Sequence, residues 1–243
     1  MKLHFKQIVI VTLSIFLLSC SADETTSETP VAPVTPLTGS IKYLALGDSY
    51  TVGQSVCETC GFPEQLKSSL IAIYPQASFS LKVIATTGWT TTNLISAINT
   101  QNPDPVYDIV TLLIGVNNQY QGKSFSIYEK EFPELVNKAI VLAKGDKKKV
   151  IVISIPDYAY TRFGEVQMGG QGERISSEID QYNSFAENYC KLNAVVFVSI
   201  TDISRKGLTN PELVAGDGLH PSAKAYTLYA ERILPKIRVA LQN

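Results

Sequence analysis

The stretch IKYLALGDSY, residues 41–50, decides how this chain folds. Its first six residues form a short, largely apolar run that ends at Gly47, and such a run predicts a buried β-strand. An apolar pattern of helical spacing follows over residues 63–74, and strand-like and helix-like stretches alternate up to residue 241. Because this alternation is typical of a parallel sheet covered by helices on both faces, the sequence predicts an α/β fold: a three-layer α/β/α sandwich with a five-stranded, mainly parallel sheet.

Five strands and five helices are predicted from the apolar patterns. The strands are expected at residues 41–46, 79–85, 107–114, 150–155 and 195–200, and the helices at 63–74, 91–99, 126–144, 173–192 and 222–241. Pro133 predicts a break or a late start of the third helix, and Pro235 a kink in the last one. In open α/β sheets, ligands bind beyond the carboxyl ends of the strands. The residues that follow each strand are therefore the candidates for a functional site.

Chemically reactive residue types stand at four such junctions. Gly47-Asp48-Ser49-Tyr50 follows the first strand, Thr86-Thr87-Gly88-Trp89 the second and Gly115-Val116-Asn117-Asn118 the third. Asp217-Gly218-Leu219-His220-Pro221-Ser222 precedes the last helix. Together the four stretches supply a nucleophile, a backbone N–H, a side-chain amide, and a base with an acid to orient it. Acyl transfer requires this set of groups.

The four stretches resemble the sequence blocks of the GDSL, or SGNH, hydrolases, which carry Ser, Gly, Asn and His in this chain order. The resemblance covers residues 41–241 and implies the SGNH-hydrolase sandwich, which is flavodoxin-like in architecture. This sequence departs from the family pattern at two positions. Tyr50 stands where the family name has Leu, and Asn118 stands where the third block usually has Asp. We expect a local change of hydrogen bonding at Asn118, with the neighbouring Asn117 retained in its role.

The resemblance implies a role for each site residue. Ser49 would attack an ester carbonyl after His220 removes its proton, and Asp217 would orient the imidazole. The backbone N–H groups of Ser49 and Gly88 and the side-chain amide of Asn117 would form the oxyanion hole. Water would then hydrolyse the acyl-enzyme, without a metal or another cofactor.

These roles predict a serine esterase or acylhydrolase that acts on small-acyl esters, either acetylated carbohydrates or other short-chain esters. A thioesterase or a lysophospholipase of the same family would use the same residues and remains an alternative. A catalytically silent, surface-tethered protein that binds glycans is a further alternative, but it predicts the loss of Ser49, Asn117 or His220. All three are present.

Residues 156–172 are expected to form a long loop at the edge of the sheet where substrate binds. Its notable side chains are Tyr158, Tyr160, Arg162, Phe163 and Met168. The loop forms either an aromatic wall beside the substrate, with Arg162 facing an anionic or polar group, or a flexible lid packed on the surface. Trp89 similarly either flanks the site or packs in the core.

The N-terminus has the features of a bacterial export signal. Lys2 and Lys6 precede an apolar stretch of 11 residues, 8–18, which is shorter than the ~20 residues of a spanning helix. The stretch ends in LLSC, residues 17–20, which resembles a lipobox. We therefore predict a lipoprotein signal peptide over residues 1–19 and acylation of Cys20. An ordinary secretory signal is the alternative.

Removal of this signal peptide would leave His220 as the single histidine of the mature chain, because His4 lies within the signal. Residues 20–39, rich in Thr and Pro, are expected to form a flexible tether. The hydrolase domain is expected over residues 40–243. The protein would then be an extracytoplasmic lipoprotein, held to a membrane in the periplasm or at the cell surface by its lipid anchor.

The composition excludes other classes of protein. With 45% hydrophobic residues the chain can form a core, so it is not disordered. The 21 basic and 22 acidic residues give a net charge of −1. This balance lacks the basic surface of a nucleic-acid-binding protein. The binding partner that the family resemblance implies is a small-molecule or glycan ester. The oligomeric state is left open.

Three cysteines lie in the expected domain. Cys57 and Cys60 are predicted to form a disulfide, since nearby cysteines tend to oxidise outside the cytoplasm. A redox-active pair would need a thioredoxin-like context, and a zinc site would need two more ligands, so both are less favoured. Cys190 is predicted to be a buried free thiol.

Overall fold

The computed structural model describes residues 36–242, whose five strands form a single sheet with the order β2-β1-β3-β4-β5. Every neighbouring pair in this sheet is parallel. With helices on both faces, the architecture is the predicted α/β/α sandwich. The strands are β1 (Gly39–Gly47), β2 (Ala77–Ala85), β3 (Ile109–Leu113), β4 (Val150–Ile153) and β5 (Val196–Val198).

Five long helices correspond to the five that the apolar patterns predict, with each end within two residues of its predicted position. The structure adds four short helices of four to six residues, which are too short to show a periodic apolar pattern. In chain order the helices are α1 (Ser49–Val52), α2 (Phe62–Ile73), α3 (Thr91–Gln101), α4 (Val116–Tyr120), α5 (Phe125–Leu142), α6 (Arg162–Gln167), α7 (Gly172–Asn193), α8 (Thr201–Ser204) and α9 (Ala223–Gln242). Single 3-10 turns lie at Lys147–Lys149, Tyr158–Tyr160 and Pro211–Leu213.

Neither helical proline interrupts its helix. The expected break or late start at Pro133 is wrong, because α5 begins at Phe125 and continues through the proline to Leu142. A proline removes the hydrogen bond to the carbonyl four residues earlier, here that of Glu129. Glu129 is exposed, so water can bond this carbonyl instead. Helix α9 likewise continues across Pro235.

The expected loop over residues 156–172 is wrong in its middle part, where the structure has a 3-10 turn and α6. Two side-chain caps explain the difference, since polar caps of this kind start helical turns. The buried Asp157 accepts a hydrogen bond from the Ala159 N–H at 3.0 Å, and Thr161 accepts one from the Gly164 N–H at 3.1 Å. Asp157 also pairs with Arg205, whose Nε lies 2.9 Å from its carboxylate.

The register of the central strands determines where the site can form. Gly47 at the end of β1 lies beside Ala85 of β2 on one side and Leu113 of β3 on the other. The segments that leave these three strands therefore start from the same edge of the sheet. A Cβ on Gly47 would lie 2.4 Å from the Leu113 carbonyl and 2.1 Å from the hydroxyl of Thr51, so only glycine permits this close approach.

The predicted signal peptide, Cys20 and most of the predicted tether lie outside the described residues. Within residues 36–242, no helix is both long and apolar enough to cross a membrane.

Candidate active site

Ser49 is the first residue of α1 and follows directly on the end of β1. The side chain of Asp48 caps this short helix by accepting a hydrogen bond from the Tyr50 N–H at 3.0 Å. At the other end Gly53, in the left-handed region, donates its N–H to the Ser49 carbonyl. Ser49 is only 4% exposed. A capped single turn thus fixes the hydroxyl at the edge of the sheet.

His220 and Asp217 come from one short loop ahead of α9. Oδ1 of Asp217 accepts hydrogen bonds from the backbone N–H groups of Leu219, at 2.9 Å, and His220, at 3.0 Å. Oδ2 of Asp217 lies 2.6 Å from Nδ1 of His220. The Ala215 N–H donates to the His220 carbonyl at 2.7 Å and closes the loop. A spacing of three residues therefore lets a single turn hold both the acid and the imidazole.

The charge of Asp217 determines which imidazole nitrogen carries the proton. Partial burial opposes ionisation of this carboxyl, but hydrogen bonds from Ser55, from the His220 ring and from two backbone N–H groups outweigh it and lower the pKa to about 2. An ionised carboxylate can only accept hydrogen bonds, so Nδ1 of His220 must be the donor. In the neutral imidazole Nε2 is then an acceptor, and it lies 3.0 Å from Oγ of Ser49, whose hydroxyl donates to it.

The two other predicted oxyanion-hole residues come from the loops after β2 and β3. Gly88 follows β2 and has a φ of 82°, which favours glycine. Asn117 lies in the first turn of α4, with Nδ2 3.1 Å from the Trp89 carbonyl and 3.4 Å from Oδ2 of Asp48. The side-chain amide is therefore held by groups from both neighbouring segments.

One cavity of about 230 Å³ brings most of the predicted site residues together. Ser49, Gly88, Asn117 and His220 all line it. Asp217 contacts the opposite nitrogen of the His220 ring. Residues from four separate segments of the chain thus lie around one cavity, and they include the groups that nucleophilic acyl transfer needs.

Aromatic side chains form much of the remaining cavity wall. They are Tyr50, Tyr120, Tyr158 and Phe163. Tyr50, at the departure from the family pattern, also packs against the imidazole of His220, with ring centroids 5.3 Å apart. Tyr120 was not identified from the sequence, because α4 is too short to predict. The signal that could have found it is its spacing of three residues from Asn117, which places both on one face of a helix.

The segment 156–172 contributes only part of the wall that the sequence suggested. Tyr158 and Phe163 line the cavity, whereas Tyr160, Arg162 and Met168 do not. The reason is the 3-10 turn and the helix α6, which direct neighbouring side chains to different sides. The side chain of Trp89 also lies outside this cavity wall, and its carbonyl holds Asn117 instead.

Asn118 replaces the usual family Asp with an amide that both accepts and donates. Its Oδ1 accepts from the Thr91 N–H at 2.9 Å, and its Nδ2 donates to the Thr91 hydroxyl at 2.7 Å. Because that hydroxyl receives a hydrogen, it can donate its own to Glu131. A carboxylate at position 118 would have no hydrogen to give. The substitution is thus accommodated by a bond to Glu131, and Asn117 stays on the cavity wall.

The cysteines lie away from this cavity wall. Cys57 and Cys60 form a disulfide in the loop between α1 and α2. Cys190 is a buried free thiol in α7. In the part of the chain that the structure describes, no group of three or more His, Cys, Asp or Glu side chains could hold a metal ion.

The sequence of residues 45–228 matches the model of the GDSL-like lipase/acylhydrolase family. The chain belongs to this family. It is therefore a hydrolase of the esterase and acylhydrolase type. None of the curated proteins matches the chain in sequence.

Solved structures of similar fold include several hydrolases. A lipolytic G-D-S-L family protein from Veillonella parvula is 19% identical, with a TM-score of 0.61 over 80% of this chain and 97% of that one. An acetylxylan esterase from Geobacillus stearothermophilus is 19% identical, with a TM-score of 0.56 over 84% and 96%. A psychrotrophic esterase from Pseudoalteromonas, inhibited by monoethylphosphonate, is 18% identical, with a TM-score of 0.57 over 83% and 99%. At these identities the similarity describes the fold.

Asp48 is a buried acid beside Ser49. Its carboxyl is fully buried, and this burial raises its pKa from 3.8 to about 7, although hydrogen bonds from Tyr50 and Asn117 oppose the shift. The folded state therefore retains a proton on Asp48 between about pH 4 and pH 7, where the unfolded chain has lost it. Stability from this group is complete below pH 4 and is lost as the pH rises through 7.

Replacing Asp48 with Asn should remove this pH dependence, because the amide keeps the helix cap and does not ionise. Between pH 5 and pH 8 we expect the free energy of unfolding of the unaltered protein to fall by about 3 kcal/mol relative to that of Asp48→Asn. Urea unfolding of both proteins across this range measures the difference. If the free energies of unfolding of the two proteins changed equally with pH, Asp48 would not titrate in this way.

Proposed function

We propose that this hydrolase is a serine esterase that removes small acyl groups through an acyl-enzyme formed on Ser49. The observation that carries the proposal is the 3.0 Å distance between Oγ of Ser49 and Nε2 of His220, within a cavity of about 230 Å³. The hydroxyl, the imidazole and the carboxylate of Asp217 form a continuous chain of hydrogen bonds.

In the first half of the reaction, Oγ of Ser49 attacks the ester carbonyl while its proton moves to Nε2 of His220. The carboxylate of Asp217 stabilises the imidazolium that forms. The carbonyl oxygen becomes an oxyanion, which the N–H groups of Ser49 and Gly88 stabilise together with the N–H of Asn117 that exchanges its long bond to Asp48 for the oxyanion. Loss of one such donor typically costs about 3–4 kcal/mol in the transition state.

The ester bond then breaks and the alcohol leaves with the proton that Nε2 of His220 carried, which completes the first half and leaves the acyl group on Ser49. In the second half, a water molecule gives a proton to the same nitrogen and attacks the acyl group to form a second tetrahedral intermediate. Collapse of this second intermediate releases the carboxylic acid and returns the proton to Oγ. Each half of the reaction uses the same base and the same oxyanion-stabilising donors.

The size of the cavity supports a short acyl group. Pockets for drug-sized ligands enclose roughly 300–1,000 Å³, so a cavity of about 230 Å³ suits a smaller group. Tyr120, Tyr158 and Phe163 form part of the cavity wall, and we expect them to limit the length of the acyl chain that can enter. Acetylated carbohydrates are the first class of ester to test, since a protein of similar fold is an acetylxylan esterase.

Replacing Ser49 by Ala should abolish the hydrolysis of p-nitrophenyl acetate. Replacing His220 by Ala should lower kcat at least about a thousandfold, because the nucleophile and the base act as one unit. Ser126→Ala, an exposed serine of α5, is the matched control and should retain full activity. Across acetate, butyrate and dodecanoate esters, kcat/KM should fall as the acyl chain lengthens. Equal activity of the unaltered protein and Ser49→Ala would refute the proposal.

We further propose that the enzyme acts outside the cytoplasm, attached to a membrane by acyl groups on Cys20. The support is the order of features in residues 1–20, where two lysines are followed by an apolar stretch and then by LLSC. Two or more acyl chains give stable membrane binding, whereas one chain gives only marginal binding.

Replacing Cys20 by Ser in the full chain should move the protein from the membrane fraction to the soluble fraction, because the acylated sulfur is lost. Each form is expressed separately in bacterial cells. Fractionation of the cells measures membrane association, and incorporation of labelled palmitate measures acylation. Cys190→Ser, which alters a buried thiol, is the matched control. Persistent membrane association of Cys20→Ser would contradict lipid anchoring.

A further inference from the structure

Residues 53–61 form a closed loop between the nucleophile helix α1 and helix α2, here named the disulfide loop. Its ends meet at Gly53 and Gly61, where a Cβ on the first would lie 3.2 Å from Cα of the second. Within the loop, the disulfide between Cys57 and Cys60 closes the turn that follows Ser55. The close approach of the loop ends and this short crosslink both reduce the conformations open to the loop backbone.

Ser55 in this loop contacts the acid of the catalytic chain. Its Oγ lies 2.6 Å from Oδ2 of Asp217. The same oxygen accepts the Nδ1–H of His220 at 2.6 Å. Since the carboxylate can only accept, the Ser55 hydroxyl donates. Oδ2 therefore lies between two donors that come from distant parts of the chain.

The backbone of Ser55 adopts a conformation that favours glycine. Its φ is 67°, in the left-handed region that residues other than glycine seldom adopt. Glycine would fit this conformation with less strain but would lack the hydroxyl. Unfavourable backbone conformations that persist are concentrated at functional sites. The hydrogen bond to Asp217 accounts for serine at this position.

The exposure of Ser55 explains why the loop must be closed. Ser55 is exposed and the side chain of Asp217 is 30% exposed, so water can compete for Oδ2. A hydroxyl held by a constrained backbone loses less freedom on bonding than a mobile one. Among the hydrogen bonds that lower the pKa of Asp217, the bond from Ser55 has the largest effect.

The same loop also reaches the oxyanion side of the site. The Thr87 hydroxyl donates to Oε1 of Gln54 at 2.7 Å. Thr87 precedes Gly88, a proposed oxyanion donor, and lines the same cavity. The disulfide loop therefore contacts both the acid and the segment that carries Gly88.

We propose that Ser55 is a positioning residue for the hydrolysis reaction, and that the disulfide loop holds its hydroxyl against Asp217 so that the carboxylate stays aligned with His220. Ser55 acts through Asp217 and does not touch the substrate. This inference rests on the proposed function of Ser49, His220 and Asp217.

The first test compares Ser55→Ala with Ser55→Gly. Both should lower kcat about fivefold with KM unchanged, which is the effect of losing one hydrogen bond of ordinary strength. Ser55→Gly should be at least as stable to heat as Ser55→Ala because glycine relieves the positive φ. Glu58→Ala, an exposed residue of the same loop, should keep the original kcat. If kcat followed thermal stability, or did not change, the positioning role would be refuted.

The second test asks whether the disulfide acts through Ser55. Replacing both Cys57 and Cys60 by Ser should lower kcat by up to about fivefold in the unaltered protein, but should cause no further loss in a Ser55→Ala background. Non-additive losses of this kind support the proposal. If the fold-losses in kcat from the disulfide and from Ser55→Ala multiplied, the disulfide would affect the site independently of Ser55, and the role of the loop would be overturned.

A third measurement separates this inference from the proposed function. The measurement requires no turnover, so it can use the Ser49→Ala protein, in which the Nδ1–H proton of His220 is observed by NMR at neutral pH. Removing the Ser55 hydroxyl should broaden this signal, because a less constrained carboxylate opens the hydrogen bond to solvent more often. An unchanged line width would overturn the positioning contact. Absence of esterase activity with a broadened signal would refute the proposed function and the catalytic role of Ser55, and leave only the contact.

Discussion

The ionised carboxylate of Asp217 is the group on which the rest of the site depends. Its Oδ1 anchors the turn that carries His220, through two backbone N–H groups, and its Oδ2 fixes the proton on Nδ1. Nε2 can accept a hydrogen bond from the Ser49 hydroxyl only when the ring proton is on Nδ1. A neutral carboxyl would leave both the orientation and the tautomer of the imidazole undetermined. Ionisation of this acid, which its low pKa favours, is therefore a requirement of the hydrogen-bond chain.

The parallel sheet supplies the second requirement, which is that distant segments meet at one edge. β1, β2 and β3 end side by side, so the residues after them need only a few further positions to converge. Gly47 makes this possible, because any side chain there would collide with the backbone of β3. The turn that carries Ser49 can then pack directly on the sheet with its buried cap, Asp48. The raised pKa of Asp48 is a consequence of this close packing.

Much of this arrangement could be predicted from the sequence, for identifiable physical reasons. Strands and long helices have apolar periodicities, and Ser49, Asn117 and His220 stand at strand ends or beside a helix start in a family order. The short helices lack any period, so Tyr120 on α4 was missed. The contact of Ser55 with Asp217 joins residues separated by 162 positions, and no local pattern encodes it. The lipid anchor and the signal peptide remain predictions from the sequence.

The most direct test of the central claim is the reaction of the domain with a fluorophosphonate, followed by peptide mass spectrometry. Such reagents form a covalent bond with a serine whose hydroxyl is activated by a base. The account predicts a single phosphonyl adduct on the peptide that contains Ser49, and an adduct that forms far more slowly when His220 is replaced by Ala. Labelling of another serine, or an unchanged rate without the imidazole, would contradict the proposed relay.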